Sequence, residues 1–244
     1  MGRFPGGRGR RLAGIAVSVV LGIPALLGLA TAIGLAVTPP VDDLSRRVDS
    51  VLSAHGATRV ALNAVPDRLS EALIATEDER FYSHHGIDSQ GLVRALFADL
   101  YHRRALEGGS TLSQQLAKNL YMNHNDDGWR KPEDLLLAIK LESKFSKHQI
   151  LESYLNSVYF GHGAYGVGQA AAVYFHTTPP LLDLARASMI AGLPQSPSHY
   201  DLYRNPCAAR ARQFAVLAQM VHDGYIDQAQ AAAAYNQSIG FACG

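Results

Sequence analysis

From Pro66 onward, apolar side chains recur at intervals of three and four residues, and glycine or proline cuts the pattern every ten to twenty positions. That spacing belongs to consecutive amphipathic helices, whose buried faces repeat about every 3.6 residues. It predicts helices over 66–82, 89–103, 110–121, 131–145, 147–159, 167–175, 183–192, 206–223 and 227–235. The breaks fall at Gly108-Gly109, at 123–128, 161–166 and 194–206, and at Pro179-Pro180. No alternating pattern marks a set of strands, and no segment repeats. The expected fold class is therefore all-α: one helical domain over 62–235 with long loops, followed by a tail at 236–244. With 48% hydrophobic residues in 244, the chain can bury a sizeable core.

Ahead of this region, Arg3, Arg8, Arg10 and Arg11 precede an almost uncharged run from Leu12 to Val37. Such a run can cross a bilayer as one helix. Arginines before it and Asp42-Asp43 after it predict a cytoplasmic segment at 1–11 and a transmembrane anchor at 12–37; Thr38-Pro39-Pro40 ends the span, and the polar stretch that follows reads as linker or early helix, a linker at 38–61. The body is then expected outside the cytoplasmic membrane. Ala30-Thr31-Ala32 also matches a small-x-small cleavage site, which would make the run a signal peptide. The apolar stretch continues past that site, favouring the anchor, and either reading exports the body. A net charge of +1 lacks the basic excess on which nucleic-acid affinity rests. Cys207 and Cys243 neither demand nor exclude a disulfide.

On a helical wheel Leu73, Ile74, Glu77 and Phe81 share one stripe, while Asp78 and Glu79 turn away. Glu77 thus lies on a face meant for burial. There a carboxylate is either a general base with a raised pKa or a structural acid paired with an arginine. In 131–145, Asp134 shares a stripe with Ala138, Leu141 and Phe145, whereas Glu133 lies on the side of Lys140. The helix is apolar nearly all round, which predicts a path through the core with Asp134 at a cavity wall. The alternative is an acid favoured only by the helix dipole.

Gly108-Gly109-Ser110-Thr111 reads as a helix start with a hydroxyl cap. Thr111, Gln114, Gln115 and Lys118 then line one face, opposite Leu112, Leu116 and Leu120. Free amides at a helix start with a lysine beside them suit a phosphate or pyrophosphate, and no acid interrupts the face. A solvated helix face has the same pattern. The literal G-x-G-x-x-G at 161–166 follows helical spacing rather than a strand, so it reads as a tight turn instead of a dinucleotide site. The ten histidines include no zinc-type spacing, and His84-His85 read as structural.

Together and in this order, these segments resemble the family 51 peptidoglycan glycosyltransferases. Glu77-Asp78-x-x-Phe81-x-x-His84-x-Gly86 matches the family's first motif, and Gly108-Gly109-Ser110-Thr111-x-x-Gln114-Gln115-x-x-Lys118-Asn119 its second. Arg130-Lys131 opens the third. Ile150-Leu151-Glu152-x-Tyr154-Leu155-Asn156 with Gly161 and Gly166 matches the fourth, and the run Ala191-Gly192-Leu193-Pro194-Gln195-Ser196-Pro197 the fifth.

The resemblance implies a lysozyme-like helical domain beside the membrane that polymerises lipid II onto a lipid-linked glycan strand. It implies Glu77 as general base and Asp134 as a second catalytic acid. His84, Ser110, Thr111, Gln114, Gln115, Lys118, Arg130 and Lys131 become the substrate- and pyrophosphate-binding set. A divalent cation, Mg or Mn, can accompany the pyrophosphate, and other cell-wall synthesis proteins are possible partners. The family carries glutamate where Asp134 stands, and Asp126-Asp127 is acidic where its pyrophosphate site is basic. Those departures leave a catalytically weak lipid II-binding or cell-wall synthesis scaffold as one alternative; a lysozyme-like lytic hydrolase is another, but it does not explain the face of Gln114, Gln115 and Lys118. No S-x-x-K or K-T-G occurs, so a monofunctional form without a transpeptidase, or a truncated gene product, is expected.

Overall fold

The computed structural model describes residue 26, residues 28–88, 90–91, 110–122 and 131–241, and residue 243, with Lys131 described in its backbone only. The chain divides into two compact units, Met1–Pro39 and Pro40–Gly244. In the first, 28–37 is helical, and Leu26, Leu29, Ile33 and Val37 are exposed. Among the described residues no helix is long and apolar enough to cross a membrane. Residues 12–25, the first part of the expected anchor, lie outside them.

The second unit is helical, with no strand among its described residues and two isolated bridges, His85 to Ile87 and Tyr159 to Tyr165. It begins earlier than its composition suggests. Helix α1 (Leu44–Ala54) forms within the stretch read as linker or early helix. Most of its surface is charged or polar, but Leu44, Val48 and Leu52 recur at four-residue spacing and are buried. Arg47 anchors it by donating to the Leu120 carbonyl at 2.9 Å, and the Tyr121 hydroxyl donates to the Val41 carbonyl at 3.1 Å.

Helix α2 (Asp67–Glu77) buries Leu69, Leu73 and Ile74 and ends five residues sooner than its spacing predicts. Asp78 leaves helical geometry at φ −159°, ψ 68°. Helix α3 (Leu112–Tyr121) follows a capping box, and α4 (Lys131–Lys144) packs along it. The α4 helix is buried on one side only, at Leu137, Ala138 and Leu141, so it flanks the core instead of running through it. Helix α5 (Lys147–Ser157) starts at a second capping box, made by Ser146 and Gln149. The Asn156 carboxamide of α5 exchanges two 2.8 Å hydrogen bonds with the Val60 backbone, pinning the preceding segment.

Helix α6 (Gly166–Phe175) follows the glycine turn expected at 161–166. Gly161, at φ +88°, lets the Pro197 carbonyl approach so closely that a Cβ would lie 2.7 Å from its oxygen. Helix α7 (Leu184–Gly192) is the centre of the core. From Ala187 to Gly192 every residue is buried, and its small side chains admit α2 on one side and α8 (Pro206–His222) on another. Helix α9 (Gln228–Asn236) packs on α8. The expected tail is part of the body: Cys207 and Cys243 form a disulfide, Ile239 is buried, and Phe241 packs edge-on against Tyr203.

Candidate active site

The last residue of α2 is Glu77. Helical spacing carries Leu73 and Ile74 into the core and Glu77 to its edge, where the side chain retains 9% exposure. Each carboxylate oxygen meets a donor. Gln115 Nε2, from α3, donates to Oε2 at 2.9 Å, and the Arg212 guanidinium, from α8, donates to Oε1 at 3.2 Å. Burial pushes the Glu77 carboxyl above the ordinary carboxylate range; Gln115 and Arg212 counteract that only in part. A carboxylate in this state is a stronger proton acceptor than one in water.

Arg212 is the functional neighbour that sequence reasoning missed. It lies beside the buried stripe of Ala209, Gln213, Val216 and Met220, so an arginine on the flank of an apolar face was the available signal. Its stem passes over Gly192 at the end of α7, where a Cβ would come within 2.8 Å of Arg212 Cγ. Its Nε also donates to the Gly192 carbonyl at 3.3 Å. The fifth motif thus supplies the seat of the cation that pairs with Glu77.

Beside Glu77 opens a cleft of about 270 Å³ lined by Thr76, Asp78, Glu79, Asp88, Ser110, Thr111, Gln219 and His222, among others. Ser110 is exposed in it. Thr111 is buried and ties the second motif to the first by donating to the Gly86 carbonyl at 2.9 Å. The two glutamines of the second motif have different duties. Gln114 folds back on the helix start, accepting from the Thr111 backbone N–H at 2.6 Å to complete the cap. Gln115 alone reaches Glu77. Lys118 is exposed one turn further along α3.

Asp78 departs from its expected position. The wheel turned it outward, but the helix stops at Glu77, and the altered backbone sends Asp78 into the core with a side chain 2% exposed. It accepts from the Leu112 backbone N–H at 2.9 Å and meets His84 Nε2 at 3.0 Å. The other His84 nitrogen lies 3.6 Å from Glu142, itself paired with Lys147 at 2.7 Å and hydrogen-bonded by Ser113. His84, assigned above to substrate binding, is 8% exposed and committed to this buried network; its duty here is to clamp the first motif to α3, α4 and α5.

Asp134 and Glu133 are both half-buried in the first turn of α4. Asp134 is not among the residues lining the cleft at Glu77. Arg130, Asp126, Asp127 and the Lys131 side chain lie outside the described residues. Among those described, no group of three or more His, Cys, Asp or Glu side chains could hold a metal ion.

An all-helical body with a buried, doubly hydrogen-bonded glutamate at a polar cleft is the setting in which known relatives become informative. The family model described as Transglycosylase matches residues 45–221, and the chain belongs to that family. Penicillin-binding protein 1F of Bacillus subtilis (strain 168) is 39% identical over 194 residues, covering 79% of this chain and 27% of that protein. Penicillin-binding protein 1A of Escherichia coli (strain K12) is 44% identical over 183 residues, covering 74% and 22%. The chain therefore spans less than a third of the length of these relatives. The crystal structure of penicillin-binding protein 1A from Haemophilus influenzae aligns over 76% of this chain and 18% of that one, with 24% identity and a TM-score of 0.46.

Proposed function

We propose that this chain is a peptidoglycan glycosyltransferase that extends a lipid-linked glycan strand with lipid II. Its carrying observation is Glu77: a buried carboxylate with raised proton affinity, held by two donors at the edge of a polar cleft. In the reaction the acceptor's sugar 4-hydroxyl attacks the anomeric carbon of the donor strand. Glu77 takes the hydroxyl proton as the new carbon–oxygen bond forms, and the bond to the pyrophosphate breaks with inversion. The leaving group departs with the electron pair, toward Ser110, Thr111 and Lys118 of the second motif and Arg130 and Lys131 of the third. Asp134, which lies outside the lining of the cleft at Glu77, enters this reading as a second acid only through the family resemblance. A divalent cation belongs to this reading only as a companion of the pyrophosphate, and no step is routed through it.

The same reading makes 12–37 a single-pass anchor with the body on the extracytoplasmic side, close to lipid-linked substrates. The exposed Leu29, Ile33 and Val37 of the helical stretch 28–37 support it, because lipid would cover them. The deciding experiment incubates detergent-solubilised protein with lipid II and separates products on a gel. Wild type should form glycan chains, and Glu77→Gln, which keeps the shape and loses the base, should fall below about a tenth of that rate. Chain synthesis by the variant above that level removes Glu77 from the mechanism.

A further inference from the structure

Behind Glu77 lies a residue that touches neither the cleft nor, on this reading of the site, the substrate. Tyr154 of α5 is fully buried, and among the described residues its hydroxyl has one partner, Gln115 Oε1 at 2.8 Å. The same carboxamide donates through Nε2 to Glu77. A carboxamide has one accepting and one donating end, so occupying its oxygen dictates what its nitrogen does. We propose that Tyr154 is a positioning residue: its hydroxyl holds the Gln115 carboxamide with Nε2 toward Glu77 and so keeps Glu77 a proton acceptor.

The Gln115 carboxamide has two possible orientations. With Glu77 ionised, the chain Tyr154 O–H to Gln115 Oε1, then Gln115 Nε2–H to Glu77 Oε2, gives the hydroxyl proton an acceptor and the carboxylate a donor. Turning the carboxamide over would let a protonated Glu77 donate to Gln115 Oε1, but the Tyr154 proton would then lose its acceptor inside the core. That loss is costly for a buried polar group. Burial, reinforced by the Glu77 charge, pushes the Tyr154 hydroxyl well above its ordinary value, so it stays a donor throughout. The other groups facing Glu77 are Arg212 from α8 and Asp78, which follows it; Glu79, Asp88 and His222 line the cleft beyond. The one cation of α7, Arg186, is turned to Asp183. None of these reaches Gln115 Oε1. The fourth motif, remote from the cleft, thus acts on the base through the second.

This inference rests on Glu77 being the base, and the experiment separates the two. Initial rates of lipid II polymerisation are measured against pH for wild type, Tyr154→Phe, Gln115→Met, the double variant and Glu77→Gln, with thermal denaturation of each. Phenylalanine keeps the ring and removes only the hydroxyl. The acid limb of the Tyr154→Phe profile should move up by about one pH unit, the scale of one hydrogen bond to a charged group. Activity should recover toward wild type at high pH, with KM for lipid II unchanged. Gln115→Met should move the limb at least as far, and the double variant no further than Gln115→Met alone, because both changes break one chain. A profile that superimposes on wild type, or falls equally at every pH, overturns the role of Tyr154. An active Glu77→Gln instead overturns the base assignment beneath it.

Discussion

Replacing Gly192 by alanine should slow polymerisation while leaving the protein folded. Gly192 is buried at the end of α7, and its φ lies outside the left-handed region. An added Cβ would stand 2.8 Å from Arg212 Cγ and 3.3 Å from Val216 Cγ2. Carbon atoms pack at about 3.5–4.0 Å, so the Arg212 stem must retreat by roughly 0.7 Å or more. Because Cγ is near the backbone, the side chain clears the methyl only by rotating as a whole, which draws its guanidinium away from Glu77. That contact is already long, at 3.2 Å. Overpacking costs about 1–3 kcal/mol, while alanine at the last residue of the helix regains at most the roughly 1 kcal/mol it holds over glycine in a helix interior. The net change in stability should therefore be within about 3 kcal/mol. The rate is far more sensitive, since misplacing a group at a reacting centre by about 1 Å costs on the order of a hundredfold. Losing the cation also raises the Glu77 carboxyl further, so the acid limb of the rate profile should move to higher pH. Initial rates with lipid II between about pH 5 and 9, with thermal denaturation on the same preparations, measure both effects. A folded Gly192→Ala protein with wild-type rates and profile would refute the claim that Gly192 seats Arg212 on the base.

Three further outcomes follow from the same structure. Burial raises the Glu77 carboxyl, so its favourable contribution to folding is complete below the unfolded-state value and is lost as pH rises through the folded-state value. Wild type should thus lose stability relative to Glu77→Gln as pH climbs from about 4 to 8 in urea denaturation, and a constant difference would contradict the raised value. Cys207→Ser opens a loop closed across 36 residues, which should cost about 2–4 kcal/mol of stability. Adding reductant should bring wild type down to the variant; an unchanged denaturation midpoint would show that the bridge contributes nothing. Asp134→Asn should reduce polymerisation at least about tenfold, with Asp134→Glu retaining or raising it, if the acid of α4 serves the reaction. Rates indifferent to both changes would confine Asp134 to the helix start.

Much of this protein was legible in its local pattern. Eight of the helices follow from apolar spacing because each buries one stripe, and a stripe is written in consecutive residues. The caps at Thr111, Ser146, Asp183 and Asp227 are equally local, being bonds between neighbours in the chain. The inward aim of Glu77 belongs here too, since Leu73 and Ile74 carry it to the edge of the core. Tertiary structure decided what Glu77 meets there. Its partners come from 38 and 135 residues away, and no period in α2 encodes a glutamine of α3 or an arginine of α8. The same holds for Asp78. A wheel assumes the helix continues, but the bond from Leu112 and the contact with His84 end it and turn an apparent surface acid inward. Helix α1 shows the limit from the other side: its three buried residues were visible, but only their docking on α5 and α3 distinguishes a helix of the core from a polar linker. Spacing specifies which face of a helix is buried, while the identity of the group packed against it depends on chain segments that spacing does not relate.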